Sequence, residues 1–355
     1  MYLKYCDSGI ECVSFQYNHD ESVFEIRDRN NETVLEYVPV LKLDPEYKPQ
    51  NFQYLLLKNE REDYSESSIF QVYVEKKRIG WIFPIQALLS DQHVYANDPY
   101  FLKYAYIAIH LLIQDIDSKD EKEIFPETMD LSEFYEDRLT ILVLDNENIS
   151  KIGDFSLKHY TVSLYQNGYS YVGRGNLSSE IRNESNRINL KPLAKELRKI
   201  SYIHTLFEKE IPKEQEAFAK FHIYYQVIEI LISVVFEDKF GKFVEQLSMD
   251  TGSLFDRRDE LGNMVLEKQR VKWLFSNYVK VSNENIAILD AKCRRLLGLN
   301  GKKEHGTMAE NLYAVRCLLV HSMYMLDESS KELLNEINDD FLDILMEMLL
   351  SFSSE

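Results

Sequence analysis

The spacing of apolar residues changes character once along the chain. Before Gly175, short runs of β-branched and aromatic residues alternate with polar ones, the period of a half-buried strand. Such runs fall at Glu11–Tyr17, Val23–Arg27, Thr33–Val40, Gln53–Leu57, Ile69–Val74, Ile79–Phe83, Leu139–Leu144, Tyr160–Tyr165 and Tyr169–Val172. Asn, Asp, Gly and Pro bound most of them, as at Asp98-Pro99 and Asn167-Gly168. One longer stretch, Phe101–Ile116, carries Leu102, Tyr106, Ile109, Leu112 and Ile113 at helical spacing and predicts a buried helix. The acidic piece Asp117–Asp137 reads as a surface loop or a short helix.

Gly175–Asn189 is polar and poor in aliphatic residues, the texture of a linker. Beyond it the period becomes 3.6, and helices are expected over Leu190–Glu210, Glu214–Phe236, Met264–Val279, Glu284–Leu297, Met308–Leu326 and Lys331–Phe352. Pro212 ends the first and opens the second. Short polar turns between them suggest an antiparallel bundle. The expected fold class is therefore α+β. A mixed, strand-rich domain spans residues 1–185, and an all-α helical bundle follows over residues 190–355.

Composition agrees with two folded domains. The 355 residues are 45% hydrophobic and 28% charged, enough to build sizeable cores. With 23 Tyr and 19 Phe the chain is too aromatic for a disordered one. No window reaches the roughly 20 consecutive apolar residues of a membrane span, and Met1–Asp7 lacks the pattern of a secretory signal. The four Cys, at 6, 12, 293 and 317, are too scattered for a disulfide scaffold or structural zinc site, so a reducing cytoplasm is expected. A net charge of −18 argues against a membrane-surface role and excludes nonspecific coating of nucleic acid, leaving any RNA contact to a local basic patch.

Chemistry concentrates near the C-terminus, where Asn311–Ser322 places Arg316 and His321 five residues apart. Spacing alone decides little, because Arg198 and His204 make a second match. Context separates the two. Leu318-Leu319-Val320 leads directly into His321, and upstream the Tyr224-Tyr225 pair leads into Glu229 within the apolar run Phe221–Ile232. The Arg198…His204 segment has no such lead-in.

Together these features resemble the HEPN superfamily of ribonucleases, in particular its ApeA-like branch, over residues 190–355. The resemblance implies a metal-independent endoribonuclease without cofactor, acting as a toxin-like effector in antiviral defence or growth arrest. It implies Arg316 and His321 as the catalytic pair, Glu229 in support, and a site completed in a homodimer. Cys317 stands where the family usually has Asn, and Tyr313 and Ser322 flank the pair. The N-terminal domain would take a trigger or a neutralising partner, by analogy only. The alternative is a catalytically degenerate HEPN module serving dimerisation or nucleotide binding.

The residue types suit the chemistry. A His titrating near neutrality can move the protons of RNA cleavage, and a permanently charged guanidinium suits the phosphoryl oxygens. On an ideal helix five residues turn about 500°, so Arg316 and His321 diverge by about 140°. A second copy would supply the missing geometry through a two-fold interface. Lys292, Arg294, Arg295, Lys302, Lys303 and His305 crowd Gly298 and Gly301 as a candidate RNA-contacting loop. They read equally as a basic helix C-terminus with a Gly cap. Trp81, Tyr95, Tyr100 and Tyr104 in the first domain read as core, with a ligand surface as the alternative.

Overall fold

The computed structural model describes residues 3–5, 14–18, 20–27, 33–43, 47–116, 128–129, 131–135, 138–171, 187–248, 253–322 and 326–354. The chain is α+β, with strands gathered in its first half and helices in its second. It forms two compact units: residues 1–156 with 167–190, and residues 157–166 with 191–355.

In the first unit the strands are β1 (Leu3–Tyr5), β2 (Ser14–Asn18), β3 (Val23–Arg27), β4 (Thr33–Tyr37), β5 (Phe52–Asn59), β6 (Phe70–Val74), β7 (Lys77–Pro84), β8 (Thr128–Met129), β9 (Leu139–Asp145), β10 (Tyr169–Tyr171) and β11 (Arg187–Asn189). Its helices are α1 (Pro99–Ile116) and the short α2 (Asn146–Ser150). A five-stranded sheet runs β2-β3-β4-β1-β8 and a six-stranded sheet runs β10-β5-β9-β7-β6-β11. Strand β9, Leu-Thr-Ile-Leu-Val-Leu-Asp, is buried at every position, as a strand covered on both faces must be. The predicted helix over Phe101–Ile116 is α1, and the two sheets meet it on different sides. Tyr106 stacks on Phe24 of β3 at 5.5 Å, while Phe101 lies edge-on to Trp81 and Phe83 of β7 at 5.6 and 5.1 Å. This double cover explains why α1 is buried nearly all round.

Two expectations for this region are corrected. Arg187–Asn189, at the end of the expected linker, is strand β11 and pairs in parallel with β6. Three residues are too few to show a period, so composition misled. Tyr160–Tyr165, expected as a strand, is helical: a 3-10 turn over Leu157–Tyr160 leads into α3 (Thr161–Gln166). Thr161 to Tyr165 are all buried, and a segment buried on every side carries neither period. The segments 11–13, 117–127 and 175–186, on which parts of the strand, acidic-loop and linker readings fall, lie outside the described residues, as do Cys6 and Cys12.

The second unit contains α3 together with α4 (Ser201–Thr205), α5 (Ala217–Ser248), α6 (Leu254–Val265), α7 (Glu267–Trp273), α8 (Asn283–Leu299), α9 (Met308–Ser322) and α10 (Glu328–Ser351). Helix α5 packs against α7, α9 and α10, and α8 packs against α9 and α10. Phe341 of α10 anchors this core, 5.5 Å from the Phe221 ring and 6.0 Å from that of Tyr224. Helix α5 is the one described helix long and apolar enough to cross a membrane, a span the residue pattern did not flag. Its buried side chains Phe221, Tyr225, Ile228, Leu231 and Val235 fall at helical spacing and form the stripe of a core helix.

The single helix expected over Leu190–Glu210 is broken into a 3-10 turn, α4 and a π-turn over Leu206–Glu210. Its early backbone groups are used elsewhere. Lys191 N–H donates to Ser163 Oγ at 3.0 Å, Leu193 N–H to the His159 carbonyl at 2.6 Å, and Ala194 N–H to the Leu349 carbonyl at 3.2 Å. Donors spent on neighbours cannot close helical turns.

Candidate functional site

Helix α9 is positioned from its first turn. Asn311 is fully buried and donates through Nδ2 to Asp290 of α8 at 2.7 Å and to the His305 carbonyl at 3.1 Å. Its Oδ1 accepts from the His305 N–H at 2.7 Å. One side chain thus fixes α9 against α8 and the loop between them. Glu310 beside it binds Lys268 and Lys272 of α7 at 3.2 and 2.9 Å. Those lysines, Lys272 foremost, hold its carboxyl down at about 2.

Arg316, two turns further along, reaches α5. Its Nη2 donates to Glu229 Oε1 at 3.5 Å, and its guanidinium lies 5.7 Å above the Tyr225 ring. Tyr225 in turn donates from its hydroxyl to Glu267 of α7 at 3.1 Å. Burial opposes the charge on Arg316, but Glu267, Tyr225, Cys317 and Glu229 outweigh it, and the group stays charged more firmly than usual. Tyr313 and Cys317 lie one turn apart on α9 and act on each other electrostatically. Burial first, and then Cys317, pushes the Tyr313 hydroxyl up. Arg316, Glu229, Tyr313 and Cys317 therefore share one cluster at the junction of α5, α7 and α9.

His321 stands apart from it. The residue is exposed and makes no hydrogen bond or ion pair with any described residue. Ser322, half-buried, closes α9 beside it. The divergence expected of a regular helix is what α9 displays.

The basic patch is committed in part. Lys292 binds Asp340 at 2.7 Å and approaches Glu336 at 3.8 Å, while Arg294 binds Asp290 at 2.7 Å and Glu304 at 3.5 Å. His305 serves through its backbone. Arg295, Lys302 and Lys303 are exposed and make no ion pair with described residues. The second sequence match is structural: Arg198 Nε donates to the Leu193 carbonyl at 3.0 Å, and His204 lies 2.7 Å from Thr161 Oγ1 and 3.0 Å from Glu208.

Residue patterns missed three members of the cluster. His222 and Tyr225 share a face of α5 with Glu229, seven and four residues before it, so counting back along the helix finds them. Burial first, and then Arg316, lowers the His222 imidazole, with Glu229 opposing. Glu267 opens α7 after the break at Leu266, and no period leads to it.

In the first unit, Trp81 and Tyr104 are buried, and Trp81 lies 5.1 Å from the Tyr95 ring. Tyr100 is exposed beneath the Arg78 guanidinium at 5.0 Å. A cavity of about 600 Å³ opens nearby, lined by Tyr47, Phe52, Lys103, Asp145 and Asn146 among others. Lys103 binds Asp145 at 3.0 Å and lies over the rings of Tyr47, Phe52 and Tyr104. Among the described residues, no group of three or more His, Cys, Asp or Glu side chains is arranged to hold a metal ion. No family model, curated protein or solved structure matches this chain.

Proposed function

We propose that the second unit is a HEPN-like bundle acting as a metal-independent endoribonuclease, a toxin-like effector in antiviral defence or growth arrest in the cytoplasm. In this reading Arg316 stabilises charge on the phosphorane, His321 moves a proton, and the site is completed by a second copy of the chain. The first unit takes the trigger or neutralising partner. One observation carries the reading: Arg316 and Glu229, 87 positions apart and each marked by its own segment, lie 3.5 Å apart. The exposure of His321 supports the two-copy site, since a side chain facing solvent is free to meet a neighbouring copy.

The purified full-length protein is expected to cleave RNA in EDTA and leave a 2′,3′-cyclic phosphate. Arg316→Ala and His321→Ala should each lower the rate by about 10²–10⁴-fold with the fold retained. Cleavage at the wild-type rate by both variants would refute the proposal.

The ion pairs of Lys292 and Arg294 favour a second reading, a degenerate module for dimerisation or nucleotide binding, because they leave fewer free cations for a polyanion. Growth arrest on expression separates the two. Arrest by the wild type and its loss in His321→Ala support the nuclease; equal growth favours the module.

A further inference from the structure

We propose that His222 is the base that takes the 2′-hydroxyl proton from an RNA phosphodiester held by Arg316, leaving His321 to protonate the departing oxygen. The assignment rests on the nuclease reading above.

Cleavage needs two proton transfers on opposite sides of phosphorus, because attacking and leaving oxygens lie roughly in line. A single His321, turned about 140° from Arg316, is poorly placed for both. His222 answers the shortage from within the same chain. His222, Tyr225 and Glu229 occupy one face of α5, spanning about 10 Å of helix. Arg316 crosses that face, 3.5 Å from Glu229 and 5.7 Å above the Tyr225 ring. The His222 ring is held edge-on by Phe218 at 4.4 Å. It makes no hydrogen bond or ion pair with described residues, so both ring nitrogens are free for substrate. His93 and His204, by contrast, spend theirs on their own chain.

The charges that act on the His222 ring are Arg316 on α9 and Glu229 on α5, while Glu267, Tyr313 and Cys317 surround Arg316 behind them. Burial and Arg316 act against a charged imidazole more than Glu229 favours one, so the ring is neutral at neutral pH and ready to accept a proton. The step balances without a further reactant. The 2′-oxygen forms its bond to phosphorus as its proton passes to His222. The bond from phosphorus to the 5′-oxygen breaks, and that oxygen takes a proton from His321. The products are a 2′,3′-cyclic phosphate and a 5′-hydroxyl.

The test uses the full-length protein, an RNA oligonucleotide and EDTA. His222→Gln and His222→Ala are expected to cut at least about 100-fold more slowly, with RNA affinity and unfolding midpoint close to wild type. The wild-type rate should rise with pH through the His222 titration, and that limb should vanish in His222→Gln. On a substrate with a 5′-bridging sulfur, which leaves without a proton, His321→Ala should recover and His222→Gln should not. Wild-type cleavage by His222→Gln, with Arg316→Ala and His321→Ala inactive, overturns the base assignment alone. Unchanged cleavage in all three removes the nuclease reading, and this assignment with it.

Discussion

With the Glu229 carboxylate about half exposed, its 3.5 Å contact with Arg316 contributes at most about 1 kcal/mol to folding. Its value is positional. Glu229→Gln is therefore expected to change unfolding free energy by less than about 1 kcal/mol yet slow RNA cleavage by about tenfold, read from parallel denaturation and cleavage assays. Asp343 gives a different readout. Burial first, then Asp340, Glu347 and Asp339, pushes its carboxyl up to about 6. A folded pKa above the unfolded one contributes stability at low pH and loses it as pH rises through about 6. Asp343→Asn should thus gain up to about 1 kcal/mol near pH 8, after allowance for solvent screening, and gain nothing near pH 3. Gly168 sits at φ +80° with Arg61 Cγ only 2.6 Å from where a Cβ would be. Arg61 is wholly buried and forked on Asp63 at 2.8 and 2.6 Å, so it has no room to yield. Gly168→Ala should cost about 2 kcal/mol or more in denaturant unfolding.

Helix α9 depends on its start. Glu310, held at about 2 by Lys272 and Lys268, has a folded pKa below the unfolded one. Its contribution is present above about pH 4.5 and lost as pH falls towards 2. Glu310→Gln should lower the thermal midpoint at pH 7 by a few degrees, with the difference vanishing near pH 2. Elements of this kind were legible where apolar residues recur at a fixed spacing or in an unbroken run: α1, α5, α8, α9, α10 and the strands β3, β5, β6, β7 and β9 all coincide with such segments. Helix α6 carried no such signal, because Phe255 and Val265 are exposed at 70% and 63% and its polar residues face solvent too. The continuation of α5 to Ser248 escaped for a similar reason, since Phe240, Val244 and Leu247 are exposed. In the candidate site, Arg316 and Glu229 were readable from their segments, whereas His222 and Tyr225 were passed over although a helical count back from Glu229 reaches them. Glu267 was not, because only the packing of α7 on α5 and α9 brings it there.

At the scale of the molecule, the decisive feature is the path of the chain. Leu157–Gln166 belongs to the helical unit, while the residues on either side belong to the strand-rich one. The segment is bonded into that unit by the contacts of Ser163 with Lys191, His159 with Leu193 and Thr161 with His204. A fragment of residues 191–355 lacks all of these. It should melt lower and aggregate more readily than the full chain, whereas adding residues 157–166 back as a peptide should raise its melting temperature. The same path bears on inheritance. Two units joined end to end can be exchanged by one recombination event at the seam between them. Here one crossover anywhere between residues 156 and 191 separates a piece from the unit it completes. A lineage that replaced the first unit would have to carry over residues 157–166 intact. Mutations in the two units are thus expected to be inherited together.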